Sequence, residues 1–307
     1  MLRRVGYACL CTSLPTASPR GTILRNATPE RLCALIAGNL DGLAAVLRFN
    51  VEHGISLFRI SSDVIPFGSH PVNTVPWWDE FAPQLADIGV YIKAHDLRVS
   101  LHPGQYTVLS SPKTEVVDAA VRDLLFHARL LDALGVSSHH KIVLHIGGAY
   151  GDKNAALWRW MAAVRTLPDY VRARLVVEND ERLFGVEDVL TAARGADVPV
   201  VFDILHHRVY AGYPNEITDP PADLPDILRT VFATWNPDRD GIPKMHYSTQ
   251  DPAKRPGAHA EYVDTAEVAA FLKQTPPEAA FDLMLEAKAK EQALFKLREA
   301  LGAVAAG

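Results

Sequence analysis

Eight short apolar runs, many of them rich in β-branched residues, recur along this 307-residue chain, and a stretch of helical character follows each one. The runs cover 4–9, 56–60, 98–101, 142–146, 175–177, 198–202, 244–247 and 280–285. The first helix is expected from 29 to about 52. Thr28 can cap it, Pro29 suits its first position, and Leu32, Leu35, Ile36, Leu40, Leu43 and Leu47 recur at helical spacing. The remaining helices fall near 77–94, 116–134, 156–167, 186–195, 224–233, 264–274 and 288–301, and Asp264 with Glu267 makes a capping-box pattern. Strict β/α alternation eight times over predicts a (β/α)8 TIM barrel, read as a single domain over 1–307. The rival, a doubly wound open sheet, often carries a glycine-rich phosphate fingerprint, and none is present.

Bulk composition is compatible and sets the context. With 48% hydrophobic and 22% charged residues the chain can bury a large core. Three cysteines, Cys9, Cys11 and Cys33, are too few for a disulfide framework and fit a reducing cytoplasm. Cys9-x-Cys11 is better read as a thiol pair at a strand end than as metal ligands. The opening MLRRVGYACLC imitates a signal peptide, but its apolar run is too short. No run approaches the roughly 18 consecutive apolar residues of a membrane span. The expectation is an intracellular, cytoplasmic protein that does not engage a membrane. A net charge of −5 argues mildly against nucleic acid as a partner, an argument that weakens if several acids hold cations.

The ends of the later strands carry the functional signal. RVSLH ends in His102, KIVLH in His145, RLVVE in Glu178, VPVVFD in Asp203, PKMH in His246 and FDLMLE in Glu286. The 36 Asp and Glu and 12 His residues amount to about one residue in six, yet such residues close six of the eight strands. Each alone has an ordinary reading, a hydrogen bond to a loop or a salt bridge. Together at the carboxyl ends of barrel strands they converge on one face, where barrel enzymes keep their sites. Crowded carboxylates repel unless cations sit between them, and imidazole with carboxylate is the usual donor set of Zn and Mn. His70, His206, His259 and Lys244 lie on the loops or strands nearby. Ten such groups exceed one ion's needs and predict a divalent cluster of two or three ions. His53, His95, His127, His139, His140 and His207 are read as structural or solvated.

FRISSDVIPFGSHP, LHPGQYT, LHIGGAYGDK, VVENDE, VVFDILHH, KMHYS, DPAKRPGAHA and MLEAKAKEQA together resemble the UV damage endonuclease family, a cousin of the endonuclease IV type of abasic-site nucleases. The resemblance runs from about residue 4 to 297. It implies a TIM barrel with a three-metal cluster, usually of manganese, that nicks damaged double-stranded DNA on the 5′ side of ultraviolet photoproducts. Carried over by motif, the ligands are His70, His102, His145, Glu178, Asp203, His206, His246, His259 and Glu286. Of these, Glu178, Glu286 and His70 join Lys244 as the catalytic set. Lys244 matches a lysine that can be carboxylated in the family. Tyr7, Gln105 and Tyr106 match residues thought to probe the lesion. Cys11 stands where an asparagine is expected, which puts base contacts from that position in doubt.

The chemistry expected of this set is attack of a metal-activated water on the phosphodiester, leaving a 3′-hydroxyl and a 5′-phosphate. Lys254 and Arg255 stand where phosphates could be held, with Lys113, Arg182, Lys288 and Lys290 on other loops of the same face. One alternative is a metal-dependent sugar isomerase or epimerase, which needs two metals at most. Another is a damage-binding protein that has lost cleavage, for which the full ligand set would be superfluous. A long duplex substrate favours a monomer.

Overall fold

The structure, a computed structural model, describes residues 1–212 and 223–305. Its strands are β1 (Leu2–Cys9), β2 (Leu57–Ile60), β3 (Arg98–Ser100), β4 (Ile142–His145), β5 (Leu175–Glu178), β6 (Val200–Asp203), β7 (Lys244–Tyr247) and β8 (Phe281–Leu285). All pairings are parallel, in the order β3-β2-β1-β8-β7-β6-β5-β4. Leu101, just past β3, bridges in parallel to Ile142 of β4, its amide 2.9 Å from the Lys141 carbonyl. That contact closes the ring, and the fold is a (β/α)8 TIM barrel.

Local chemistry accounts for most helix boundaries. Thr28 caps Pro29–Glu52 by accepting from the Arg31 amide, and Asp152 caps Lys153–Thr166 by accepting from the Ala155 amide at 2.9 Å. The stretch expected as one helix over 77–94 is two, Trp77–Glu80 and Ala82–Ala94. Pro83 lies in the first turn of the second piece, where its missing N–H is harmless, but it could not continue the first. The capping box at Asp264 is half made. Asp264 accepts from the Glu267 amide at 3.0 Å, while the Glu267 carboxylate is taken by Arg208.

Pro29–Glu52 is the one described helix long and apolar enough to cross a membrane, and its apolar stripe of Leu32, Ile36, Leu40 and Leu47 is fully buried. The two ends of the barrel differ sharply. Ion pairs close the amino-terminal end: Arg98 with Asp282 at 2.8 Å, and Lys141 with Asp240 at 2.6 Å, all four residues buried. Above them lies an apolar plug of Val143, Val176, Val201 and Trp235. The carboxyl-terminal end instead gathers imidazoles and carboxylates.

Candidate metal centre

Glu178, the last residue of β5, is the hub. Its Oε2 lies 2.9 Å from His102 Nε2 and 3.4 Å from His145 Nε2, and its Oε1 lies 2.7 Å from His246 Nδ1. Three sets of donor atoms converge to within 4.8 Å of one another: His102, His145 and Glu178; Glu178, Asp203 and His206; and Glu178, His246 and Glu286. Seven residues from six strands and their loops therefore form one cluster with Glu178 common to all three sets. The strand pairing enforces this, since His145 sits beside Glu178 in register and Asp203 beside His246.

The imidazoles are oriented as ligands. Nδ1 of His102 is 3.1 Å from the Pro103 carbonyl, that of His145 is 3.3 Å from the Glu178 carbonyl, and that of His206 is 3.0 Å from the Asn179 carbonyl. His259 repeats the pattern, with Nδ1 2.8 Å from the Glu286 carbonyl. A carbonyl can only accept, so each Nδ1 carries a proton, and in His102 and His145 the other ring nitrogen, Nε2, faces Glu178. Four rings each anchored through Nδ1 to a backbone carbonyl are more than loop packing requires.

Orphaned atoms mark the same place. Asp203 Oδ2, His246 Nε2 and Lys244 Nζ are buried with no hydrogen-bond partner among the described residues. Uncompensated buried polar atoms cost about 1–3 kcal/mol each, so a group that binds there would recover that loss. The electrostatics agree. Burial favours the neutral form of His206, yet Asp203, Glu178, Glu286 and Glu181 outweigh it and hold its pKa at about 9. That part of the cluster carries an excess of negative charge and attracts cations. Burial pulls the His145 pKa down, which favours the neutral ring that can serve as a ligand. The donor sets and the orphaned Asp203 Oδ2 and His246 Nε2 fit divalent cations.

The remaining expected residues fall in several places. His259 borders the cluster, its Nδ1 3.8 Å from Glu286 Oε2. Lys244 opens β7, 1% exposed, two residues below His246. Burial first, then the charges of Arg98 and Arg59, lowers its pKa to about 7. His70 belongs to none of the three sets. It is exposed, and its Nδ1 accepts from the Val72 amide at 3.0 Å, which leaves a proton rather than a lone pair on Nε2 in the neutral ring. It lines a hollow of about 510 Å³ with Tyr106. Gln105 lines a second hollow of about 370 Å³ that reaches His145 and His206. Lys254 and Arg255 are exposed on the loop before His259, and Lys254 is paired with Asp251 at 2.9 Å.

Tyr7 departs from its expected role. It is fully buried, donates to Asn50 Oδ1 at 2.8 Å, and packs edge-on to Phe58. A ring enclosed between β1 and the first helix cannot touch a base. Cys11 is 2% exposed beside it, so this stretch forms wall rather than rim.

Three contributors escape a reading of strand ends. Arg59 of β2 is ion-paired with Glu286 and so restrains that carboxylate. A charged residue inside the apolar run LFRI was the available signal. Asn179 clasps the Asp203 backbone through both its side-chain atoms, at 2.9 and 3.0 Å. Fully buried His127 lies 2.8 Å from Ser62 Oγ and 2.7 Å from the Asp123 carbonyl, supporting the wall behind His102.

Comparison with known proteins agrees with this geometry. A family model described as "UV-endonuclease UvdE" matches residues 3–306. A UV DNA damage endonuclease from Clostridium perfringens is 38% identical over 95% of the chain and 69% of its own length. One from Bacillus velezensis is 35% identical over 99% and 95% respectively. The crystal structure of SacUVDE superposes with a TM-score of 0.88 at 36% identity, covering 98% of both chains. Endonuclease IV from Thermus thermophilus, at 18% identity and a TM-score of 0.58 over 85% of this chain and 94% of its own, shares the fold.

Proposed function

The chain belongs to the UV-endonuclease family, and on that premise we propose that it is a metal-dependent phosphodiesterase nicking duplex DNA on the 5′ side of ultraviolet photoproducts. The products are a 3′-hydroxyl and a 5′-phosphate, and abasic sites are also substrates. The observation that carries this reading is the hub of Glu178, whose one carboxylate faces imidazoles from three strands. Two or three divalent cations, manganese before zinc, cobalt or magnesium, would be held by His102, His145, Glu178, Asp203, His206, His246 and Glu286, with His259 at the margin. Such ions supply acidity to a water and neutralise charge building at phosphorus.

The chain's own groups do the rest. Glu178 ties the three donor sets together, so that they keep a fixed spacing. Arg59 holds Glu286, and Asn179 holds the strand end that carries Asp203. Lys244, buried without a hydrogen-bond partner among the described residues, is carboxylated and so becomes an anion below the cluster. Gln105 and Tyr106 stand on the rim and test the duplex for damage. Lys254 and Arg255 grip phosphates. The whole chain works as one domain and as a monomer inside the cell.

A sugar epimerase needs fewer donors than this cluster offers, and a binding protein without cleavage has no use for three converging sets. Irradiated supercoiled plasmid separates the readings. With Mn2+ the protein should convert it to nicked circles, EDTA should stop the reaction, and unirradiated plasmid should stay intact. Failure to nick with manganese bound would overturn the proposal.

A further inference from the structure

The loops after β3 and β4 carry the same short device. In Gly104-Gln105-Tyr106 and Gly148-Ala149-Tyr150, an exposed tyrosine rests its ring against the glycine two residues before it. A Cβ at Gly104 would collide with the Tyr106 ring, and one at Gly148 would lie 2.8 Å from Tyr150 Cε2. The rings remain 69% and 50% exposed. The two loops are joined, since Ser110 Oγ donates to the Gly148 carbonyl at 3.0 Å and Arg159 Nε donates to the Ser110 carbonyl at 2.6 Å.

Tyr150 has two further peculiarities. Its φ is 53°, a left-handed conformation uncommon for a bulky residue and shared by Phe67 at 55°. The Arg159 guanidinium lies 5.9 Å from its ring centroid, with Nη2 buried and without a hydrogen-bond partner among the described residues. No carboxylate pairs with Arg159 among the described residues. An exposed aromatic face backed by an uncompensated cation, on the loop that leaves His145, offers stacking to a base and attraction to its phosphate. A ring that served packing alone would have no need of a strained backbone to hold it half in solvent.

We infer that Tyr150 is a second stacking contact for DNA, a positioning residue that works beside the Gln105–Tyr106 pair and holds the strand against the cluster. This rests on the reading that damaged duplex is the substrate. Arg159 holds the ring from below and adds its charge.

The test is steady-state nicking of a lesion-bearing duplex by the manganese-loaded enzyme. Tyr150→Ala should raise KM at least tenfold and leave kcat within about threefold. Tyr150→Phe, which keeps the face, should restore wild-type KM. Gly148→Ala keeps the tyrosine but displaces its ring, so it should raise KM as Tyr150→Ala does, with unchanged melting temperature. The inference is overturned if Tyr150→Ala leaves KM unchanged, or if Tyr150→Phe fails to restore it. If the wild-type enzyme does not nick the duplex at all, the functional reading itself fails, and this inference falls with it.

Discussion

Glu178 Oε1 stands 2.7 Å from His246 Nδ1, joining β5 to β7 across the mouth of the barrel in a contact where neither side chain is more than 1% exposed. Burial works against ionising Glu178, but His246, His145 and His102 around it hold its pKa well below the ordinary carboxylate range. The carboxylate is thus charged at any working pH. Glu178→Gln keeps the shape and removes that charge, so nicking should disappear and bound metal should fall, while circular dichroism remains that of the wild type. Unchanged nicking with full metal content would remove Glu178 from its place as the donor shared by the three sets.

Lys244 offers a second test. A neutral amine is the form that takes up CO2, and a pKa of about 7 makes it available near neutrality. Carboxylation should therefore increase as pH rises through about 7. Mass spectrometry of gently handled protein should find one CO2 added, lost on acid treatment and absent from Lys244→Met. A bare ammonium paired with Asp282 or Glu178 in a crystal structure would refute it.

The basic rim should not act evenly. Lys254 is half neutralised by Asp251, whereas Arg255 has no ion-pair partner among the described residues. Arg255→Ala should weaken binding to damaged and intact duplex alike and lower the slope of affinity against salt by about one unit. Lys254→Ala should do less. Identical affinity at every salt concentration would make both merely solvated charges.

The ring of donor groups was legible in the sequence because barrel topology turns one position, the end of a strand, into one place. His102, His145, Glu178, Asp203, His246 and Glu286 needed no information beyond that, and His206 follows in the first turn of the helix that Asp203 caps. Tyr7 was not legible in this way. In TyrAlaCys both alternating positions are apolar or small, so parity does not say which face looks inward. The structure puts Ala8 in the barrel's interior cluster and Tyr7 against the helices. His70 depends on a turn whose hydrogen bond sets the tautomer. The Arg59–Glu286 pair joins residues 227 apart, which only the closed ring brings together.

At the opposite end of the barrel, His140 makes acid stability testable away from the cluster. Its Nδ1 accepts from the Val99 amide at 3.1 Å, and burial first, then Arg98 and Arg174, pulls its pKa down to about 3. The unfolded chain binds this proton from about pH 6.5 and the folded chain only near 3, so this contribution is present above 6.5 and lost as pH falls towards 3. Urea midpoints measured across that window should decline, and the decline should be shallower in His140→Gln. Parallel curves would show that other groups set the acid limit.

The damage probe is the most demanding expectation, because it asks two exposed side chains to supply selectivity without touching the chemistry. Pro103 and Gly104 turn the chain immediately after His102, and Gln105 and Tyr106 then face different hollows, one beside His145 and the other beside His70. A photoproduct weakens stacking and pairing, so opening it costs less than the few kcal/mol of an intact step. An aromatic ring can fill such an opening and an amide can replace lost pairing contacts. Gln105→Ala combined with Tyr106→Ala should leave metal content and melting temperature unchanged. Preference for lesion over intact duplex should fall at least tenfold, or about 1.4 kcal/mol. Should the double variant discriminate as the wild type does, damage must be read by another part of the rim, and the loop after β4 would be the next place to cut.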